Sequence, residues 1–67
     1  MNQFENHIKQ LRAERNLTQD DLAKVAGVSR KTIVYLEKGE YVPSLQLAWR
    51  IAKLFDQPIE SIFTFYE

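Results

Sequence analysis

The chain contains no cysteine, and only two glycines and two prolines occur among its 67 residues. The absence of cysteine excludes a disulfide framework, a thiolate nucleophile and a cysteine-based zinc site. The single histidine, His7, has no second ligand at metal-binding spacing, so neither a metal nor another cofactor is expected. With 45% hydrophobic residues and so few chain breakers, residues 1–67 are predicted to form one globular domain.

Long apolar runs are also missing. The N-terminal stretch "MNQFENHIKQLR" lacks the apolar core of a secretory signal, and no segment approaches the roughly 20 apolar residues of a membrane span. A cytoplasmic protein without a membrane partner is therefore expected. The chain also has no net charge, because nine basic residues balance nine acidic ones. For a polyanionic partner the clustering of charge matters more than the total, and residues 22–39 carry a local net charge of +3.

Apolar residues recur at helical spacing in every long segment, while strand-like alternation is almost absent. The spacing predicts a first helix from about Glu5 to Arg15, with Asn16 as a left-handed stop. Four more helices are predicted, with these boundaries: Thr18 to Gly27, Ser29 to Gly39, Ser44 to about Phe55, and a short helix that begins at Pro58 and includes Ile59, Ile62 and Phe63.

The second and third predicted helices are separated only by "GVS". Thr18 and Asp21 have the spacing of a capping box, and Asp20 and Asp21 complement the positive end of a helix dipole. We interpret the two acids in this way and not as a catalytic pair, because nothing in the sequence would raise a carboxyl pKa. The spacing A-x3-G-x5-I-x2-L across this turn indicates a helix-turn-helix at about residues 18–38.

The fourth predicted helix is apolar on two stripes. Leu45, Ala48, Ala52 and Phe55 form one stripe, and Leu47, Ile51 and Leu54 form the other, which is typical of a helix that is buried centrally or shared with a partner. The tail "FTFYE" is rich in strand formers and could pair with residues near Asn2 to Phe4. We interpret Trp49 and the cluster Phe63, Phe65 and Tyr66 as core and dimer contacts, not as a cofactor site.

Three stretches, "LTQDDLAKVAGVSRKTIVYLEKG", "PSLQLAWRIAKLF" and "PIESIF", occur in this order. Together they resemble the Cro/C1-type helix-turn-helix family of phage and bacterial repressors, in its compact stand-alone form. The resemblance covers about residues 6–63. It implies an all-α, five-helix, lambda-repressor-like domain that binds double-stranded operator DNA as a homodimer, with the third helix in the major groove. It also implies a small two-stranded ribbon that joins the chain ends.

The residues of the third helix can be assigned on physical grounds. If Ile33 and Leu36 face the core, four other side chains lie on or beside the outward face and are candidates for reading bases: Arg30, Lys31, Val34 and Tyr35. Arginine and lysine donate to guanine O6 and N7, and apolar side chains contact thymine methyl groups. Phage members of the family often have glutamines where this chain has Arg30 and Lys31, so one of the two could instead contact phosphate.

Candidate phosphate-binding residues lie at helix starts and in the loop after the third helix. The resemblance places Gln19 directly on the DNA backbone and makes Lys38 and Tyr41 a second phosphate clamp. The full set is Thr18, Gln19, Ser29, Thr32, Lys38, Tyr41 and Ser44. Thr18 and Ser29 are needed as caps whatever the function, and the basic residues could be ordinary solvated charges.

The resemblance further implies a structural salt bridge between Arg12 and Glu37, which removes Glu37 from the possible functional acids. A dimerisation region is predicted at about residues 47–66. Its expected interface residues are Leu54, Phe55, Ile59, Ile62, Phe63 and Phe65.

The leading hypothesis from the sequence is a DNA-binding transcriptional regulator, specifically a repressor that blocks polymerase by occupying a near-palindromic operator. The alternative is a protein-interaction module of the same fold, either an antitoxin or an adaptor. An enzyme is not expected, because the chain has no cysteine, one histidine and no Gly-rich phosphate loop. No small-molecule ligand is evident.

Overall fold

The computed structural model describes residues 4–65, and it contains five helices packed beside one small antiparallel ribbon. The elements, in chain order, are β1 (Phe4–Asn6), α1 (Ile8–Glu14), α2 (Gln19–Ala26), α3 (Arg30–Glu37), α4 (Leu45–Phe55), α5 (Ile59–Ile62) and β2 (Phe63–Phe65). The predicted fold class, an all-α domain with a terminal ribbon, is confirmed. No helix within residues 4–65 is long and apolar enough to cross a membrane.

Side-chain caps begin the three central helices where the sequence predicts them. The Thr18 hydroxyl accepts a hydrogen bond from the Asp21 N–H at 3.0 Å, and the Asp21 carboxylate accepts one from the Thr18 N–H at 2.9 Å. This reciprocal pair is a capping box, which satisfies two backbone donors at the start of α2. Ser29 and Ser44 cap α3 and α4 by accepting from the N–H groups three residues later.

The turn between α2 and α3 depends on Gly27. Gly27 has a φ of 75°, a left-handed conformation that side chains with a Cβ rarely adopt, and the following Val28 N–H donates to Ala23 O at 3.0 Å. A Cβ at position 27 would also lie 3.0 Å from Arg50 Nη1, which donates to Ala26 O at 3.2 Å. Both constraints favour glycine, and together they fix the course of the chain between the two helices.

The first helix begins three residues later than predicted. Phe4–Asn6 pairs with Phe63–Phe65 in an antiparallel register that places Phe4 opposite Phe65 and Asn6 opposite Phe63. Glu5 is therefore in a strand, and Phe63 belongs to β2 and not to the last helix. Phe4 and Ile8 have helical spacing, which led to the wrong start of the first helix. Both side chains are buried, but Phe4 belongs to β1 and Ile8 belongs to α1. Asn2, predicted to take part in the ribbon, and Tyr66 lie outside the described residues.

Every element contributes side chains to one hydrophobic core. The largest fully buried side chains are Phe4, Ile8, Leu22, Ile33, Leu36, Ile51, Phe55 and Ile62. On α4 most members of the two predicted apolar stripes are buried, whereas Leu45 is 80% exposed, and Trp49, interpreted as a core and dimer contact, is 55% exposed and therefore not part of the core. Leu45 is the first residue of α4 and lies beyond the reach of the other helices, and Trp49 follows one turn later on the same side.

The capping box should make the stability of α2 depend on pH. Hydrogen bonds from the Thr18 backbone and side chain, together with the nearby Lys24, hold the pKa of Asp21 below its ordinary value. A carboxyl with a lowered pKa in the folded state stabilises the fold above its unfolded-state pKa, and this contribution disappears as the pH falls through the folded-state pKa. We expect Asp21→Asn to be less stable than the parent at neutral pH, with the difference narrowing below about pH 4.

Chemical denaturation at several pH values measures this difference. Asp20→Asn is the matched control, because Asp20 is exposed and takes no part in the capping box. A constant difference between Asp21→Asn and the parent down to strongly acidic pH would contradict the expectation.

Candidate nucleic-acid interface

The outward face of α3 presents a compact group of basic and apolar side chains. Ile33 and Leu36 are completely buried, so the opposite side of the helix faces solvent. Five side chains line one open surface groove there, namely Arg30, Lys31, Val34, Tyr35 and Lys38. We refer to these five residues as the α3 face. The structure thus brings together all four predicted base-reading residues and one predicted phosphate-binding residue.

Tyr35 occupies the centre of the α3 face. Lys31 Nζ and Lys38 Nζ each lie 5.9 Å from the centroid of the Tyr35 ring, at the distance of a cation–π contact. Lys31 lies one turn before Tyr35 and Lys38 lies one turn after it, so the ring separates two positive charges along the helix. The ring remains 40% exposed, which leaves it accessible to a bound molecule.

Arg30 connects the α3 face with the start of α2. It also borders a second open depression, which is lined by Arg12, Leu17, Thr18, Gln19 and Asp20. The backbone N–H groups at the start of a helix attract anions, so this depression is suited to a phosphate. Two predicted phosphate-binding residues, Thr18 and Gln19, therefore lie beside a predicted base-reading residue.

The other predicted phosphate-binding residues are more dispersed. The hydroxyls of Ser29 and Thr32 lie 3.0 Å apart at the start of α3, and Ser44 caps α4. Tyr41 is 41% exposed in the loop between α3 and α4. Hydroxyls engaged in caps can still contact an anion, but their first role here is structural.

Glu37 connects three helices on the inner side of α3. Arg12 Nε donates to Glu37 Oε2 at 2.6 Å, and Arg12 Nη2 donates to Glu37 Oε1 at 3.1 Å. The same guanidinium donates to Leu17 O at 2.9 Å, while Gln19 Nε2 donates to Glu37 Oε1 at 3.1 Å. The two charged side chains are only 13% and 9% exposed. The salt bridge implied by the family resemblance is thus present, and it also orients Gln19, which sequence reasoning missed.

Two arginines outside the α3 face were not singled out from the sequence. Arg15 donates to Phe55 O at 2.9 Å and lies 5.1 Å from the Phe55 ring centroid, at the end of α4. Arg50 donates to Ala26 O at the end of α2. Their partners are 40 and 24 positions away in the chain, so no local pattern could reveal these contacts.

The predicted dimer residues divide into two groups. Phe55, Ile62 and Phe63 are buried within their own chain, so they offer little surface to a partner in the structure as described. Leu54 and Ile59 are partly buried against the core, and Phe65 is 53% exposed. These last three keep accessible apolar surface, and their role in a dimer stays a prediction.

No group of three acidic or histidine side chains within residues 4–65 is positioned to hold a metal ion.

Comparison with known proteins identifies close relatives. Residues 8–62 match the helix-turn-helix family HTH_3. An HTH-type transcriptional regulator of Archaeoglobus fulgidus is 58% identical over 90% of this chain and 84% of its own length. One of Methanocaldococcus jannaschii is 57% identical over 92% and 94% of the two chains. The cryptic phage CTXphi transcriptional repressor RstR of Vibrio cholerae is 36% identical over 88% of this chain and 53% of its own.

Solved structures have the same fold. A DNA-binding protein from Bacteroides fragilis superposes with a TM-score of 0.78 at 28% identity, covering 91% of this chain and 98% of the other. The restriction-modification controller protein C.AhdI from Aeromonas hydrophila gives a TM-score of 0.74 at 25% identity, covering 82% and 83%.

The contact between Arg12 and Glu37 should contribute strongly to stability. Arg12→Met leaves the Glu37 carboxylate nearly buried with Gln19 as its remaining side-chain partner. Removal of one partner of a buried pair costs about 3–5 kcal/mol, so we expect the free energy of unfolding to fall by about 3 kcal/mol. Urea denaturation measures this change.

The double variant Arg12→Met with Glu37→Met is the control for charge burial. It removes both charges, so it should be more stable than Arg12→Met alone. If Arg12→Met loses less than about 0.5 kcal/mol, the pair behaves as an exposed ion pair and the interpretation is wrong.

Proposed function

The chain belongs to the helix-turn-helix family of DNA-binding transcriptional regulators, which are not enzymes, and we propose that it is a repressor. It would bind a near-palindromic operator as a homodimer, place α3 in the major groove and block access of polymerase to the promoter. Such a protein acts where the chromosome lies, so we place it in the cytoplasm. The repressor RstR among its relatives supports repression over activation.

One observation carries the proposal of DNA binding. The α3 face has three basic side chains, whereas the single acid of α3, Glu37, points inward to Arg12. Positive charge is therefore left uncompensated on the one helix that the helix-turn-helix geometry offers to the major groove. A solvated helix without a polyanionic partner more often mixes both signs of charge on its exposed side.

The residues can be given roles within this proposal. Arg30, Lys31, Val34 and Tyr35 would read base edges, because they project from the first half of the recognition helix and its centre. Thr18 and Gln19 would hold one phosphate at the start of α2. Lys38 and Tyr41 would hold another, with Ser29, Thr32 and Ser44 as additional hydroxyl donors.

A homodimer follows from the geometry that operators require. Two recognition helices about 34 Å apart enter successive major grooves on one side of the duplex. The accessible apolar surface of Leu54, Ile59 and Phe65 would form the centre of the interface, since these side chains belong to α4, α5 and β2, which pack in sequence against one another. Burial of this surface would also help a domain of 67 residues, whose own core is small.

A second candidate function is a protein-interaction module, such as an antitoxin or an adaptor. Two exposed apolar side chains, Val42 and Leu45, favour it, because they lie outside both the α3 face and the predicted dimerisation region. A stoichiometric protein complex that forms without any DNA binding would support this candidate.

Substitutions on the α3 face should weaken and broaden operator binding. We expect Arg30→Ala and Tyr35→Ala each to cost roughly 1–3 kcal/mol in binding free energy and to relax specificity, because both side chains reach base edges. Lys38→Ala should weaken binding to all sequences and lower the salt slope by about one ion, as expected for a phosphate contact. Binding selection on random duplexes, followed by titration at several salt concentrations, measures both effects.

The matched control is Lys53→Ala, because Lys53 is an exposed lysine over Trp49 on α4, away from the α3 face. It should bind like the parent. If Arg30→Ala and Tyr35→Ala also bind and discriminate like the parent, α3 is not the reading helix.

A charged side chain introduced into the proposed interface should disrupt the dimer. We expect Ile59→Glu to sediment as a monomer and to bind the operator at least tenfold more weakly, because a buried unpaired charge at an interface is costly and two half-sites are no longer held together. Sedimentation and operator titration measure the two changes, with circular dichroism as the check of folding. Trp49→Glu is the control, and a monomer produced by this variant instead would move the interface to the outer side of α4.

A further inference from the structure

We propose that the α3 face recognises guanine and the methyl group of thymine, and that it does not read the amino groups of adenine or cytosine. Each operator half-site would then carry guanine opposite Arg30 and Lys31, and a methyl-bearing pyrimidine beside Val34. This inference names the base composition recognised by the site, and it rests on the proposed binding of operator DNA.

The first argument is that the charged groups of the α3 face are all hydrogen-bond donors. Arg30, Lys31 and Lys38 have no acceptor atoms at their ends. In the major groove guanine presents two acceptors, O6 and N7, whereas adenine pairs one acceptor with an amino donor and cytosine presents an amino donor. Side chains that only donate hydrogen bonds therefore bind guanine best. An amino group at the same position of another base would repel them.

The second argument is that the acceptors of α3 are engaged elsewhere. The Glu37 carboxylate accepts hydrogen bonds from Arg12 and Gln19 and is 9% exposed. The Thr32 hydroxyl is 3.0 Å from the Ser29 hydroxyl at the helix start. No asparagine, glutamine or aspartate occurs in α3, so the usual side chains that read adenine or cytosine are missing from this helix.

The third argument adds a positioning role to the contact that the Tyr35 ring is proposed to make with base edges. Its hydroxyl is the one acceptor left on the α3 face, but the ring contacts Lys31 and Lys38 at equal distances of 5.9 Å. The ring therefore holds two ammonium groups on the α3 face, that of Lys31 in the first turn of the helix and that of Lys38 at its end. The contact is made by the ring, so it does not require the hydroxyl.

The fourth argument concerns Val34, the aliphatic side chain of the α3 face. Val34 is half-buried and borders the same groove as Arg30 and Tyr35. Its methyl groups cannot hydrogen-bond a base, and a thymine methyl is the apolar group that the major groove offers them.

Base analogues in the selected operator test the guanine contacts. We expect 7-deazaguanine, which lacks the N7 acceptor, to weaken binding about tenfold at the guanines opposite Arg30 or Lys31. Inosine at the same positions should bind like guanine, because it keeps O6 and N7 and changes only the minor groove. Lys31→Ala should lose the response to 7-deazaguanine at one position and keep it at the other.

Uracil in place of thymine tests the methyl contact. It should weaken binding several-fold for the parent and have no effect for Val34→Ala. Val25→Ala is the matched control, since Val25 is an exposed valine on α2 outside the α3 face, and it should keep the parental response to uracil. Tyr35→Phe should keep the parental specificity, whereas Tyr35→Ala should lose it.

The results separate this inference from the proposed function. A symmetric operator that the protein binds with a steep salt slope, but that lacks guanine contacts or reads adenine through its amino group, overturns the inference and leaves DNA binding intact. Relaxed specificity in Tyr35→Phe overturns the positioning role, because the hydroxyl would then be a reader. Absence of any sequence-specific duplex binding rejects the proposed function itself.

Discussion

The position of α3 depends on the ion pair between Glu37 and Arg12. The Glu37 carboxylate is at the end of α3, yet its partners come from α1 and α2, so a single side chain fixes α3 relative to both helices. A carboxylate that is 9% exposed is stable only when its oxygens are bonded, which makes other orientations of α3 costly. Glu37 also accepts a hydrogen bond from the Gln19 side-chain amide, which holds that amide at the edge of the depression beside the start of α2. The contact between Arg12 and Glu37 therefore both stabilises the fold and fixes the orientation of the α3 face.

The ends of α3 are held by different means. At its start, Gly27 and the Ser29 cap determine where the helix begins, and Arg50 of α4 bonds the last turn of α2 next to that glycine. At its end, Asn6 of β1 donates to Leu36 O at 2.9 Å. The terminal ribbon thus does more than close the chain ends, because it places the Asn6 side chain that satisfies one of the last carbonyls of α3. The backbone of α3 is thus anchored at both ends.

Much of this arrangement could be predicted from local sequence, because caps and left-handed turns act within a few residues. Thr18, Ser29, Ser44 and Gly27 all have the predicted roles, and Asn16 is left-handed as expected. The errors occur where contacts join distant segments. Phe4 fits a helical period but is buried from a strand that pairs with residues some 60 positions later. Leu45 fits an apolar stripe of the fourth predicted helix, yet it is 80% exposed. Periodicity reports which residues are apolar, whereas their burial depends on what packs against them.

The balanced net charge of the chain hides the interface because part of that charge is engaged inside the fold. Three of its four arginines donate to groups inside the fold: Arg12 to Glu37 and Leu17, Arg15 to Phe55, and Arg50 to Ala26. The fourth, Arg30, makes no side-chain hydrogen bond within residues 4–65 and stands at the start of α3. Asp21 and Glu37 are likewise engaged, in a cap and an ion pair. After these contacts are subtracted, the α3 face keeps positive charge that forms no salt bridge within residues 4–65. The total charge of a small regulator is therefore a poor indicator of polyanion binding. The charges that remain unpaired at one surface of the fold are a better indicator.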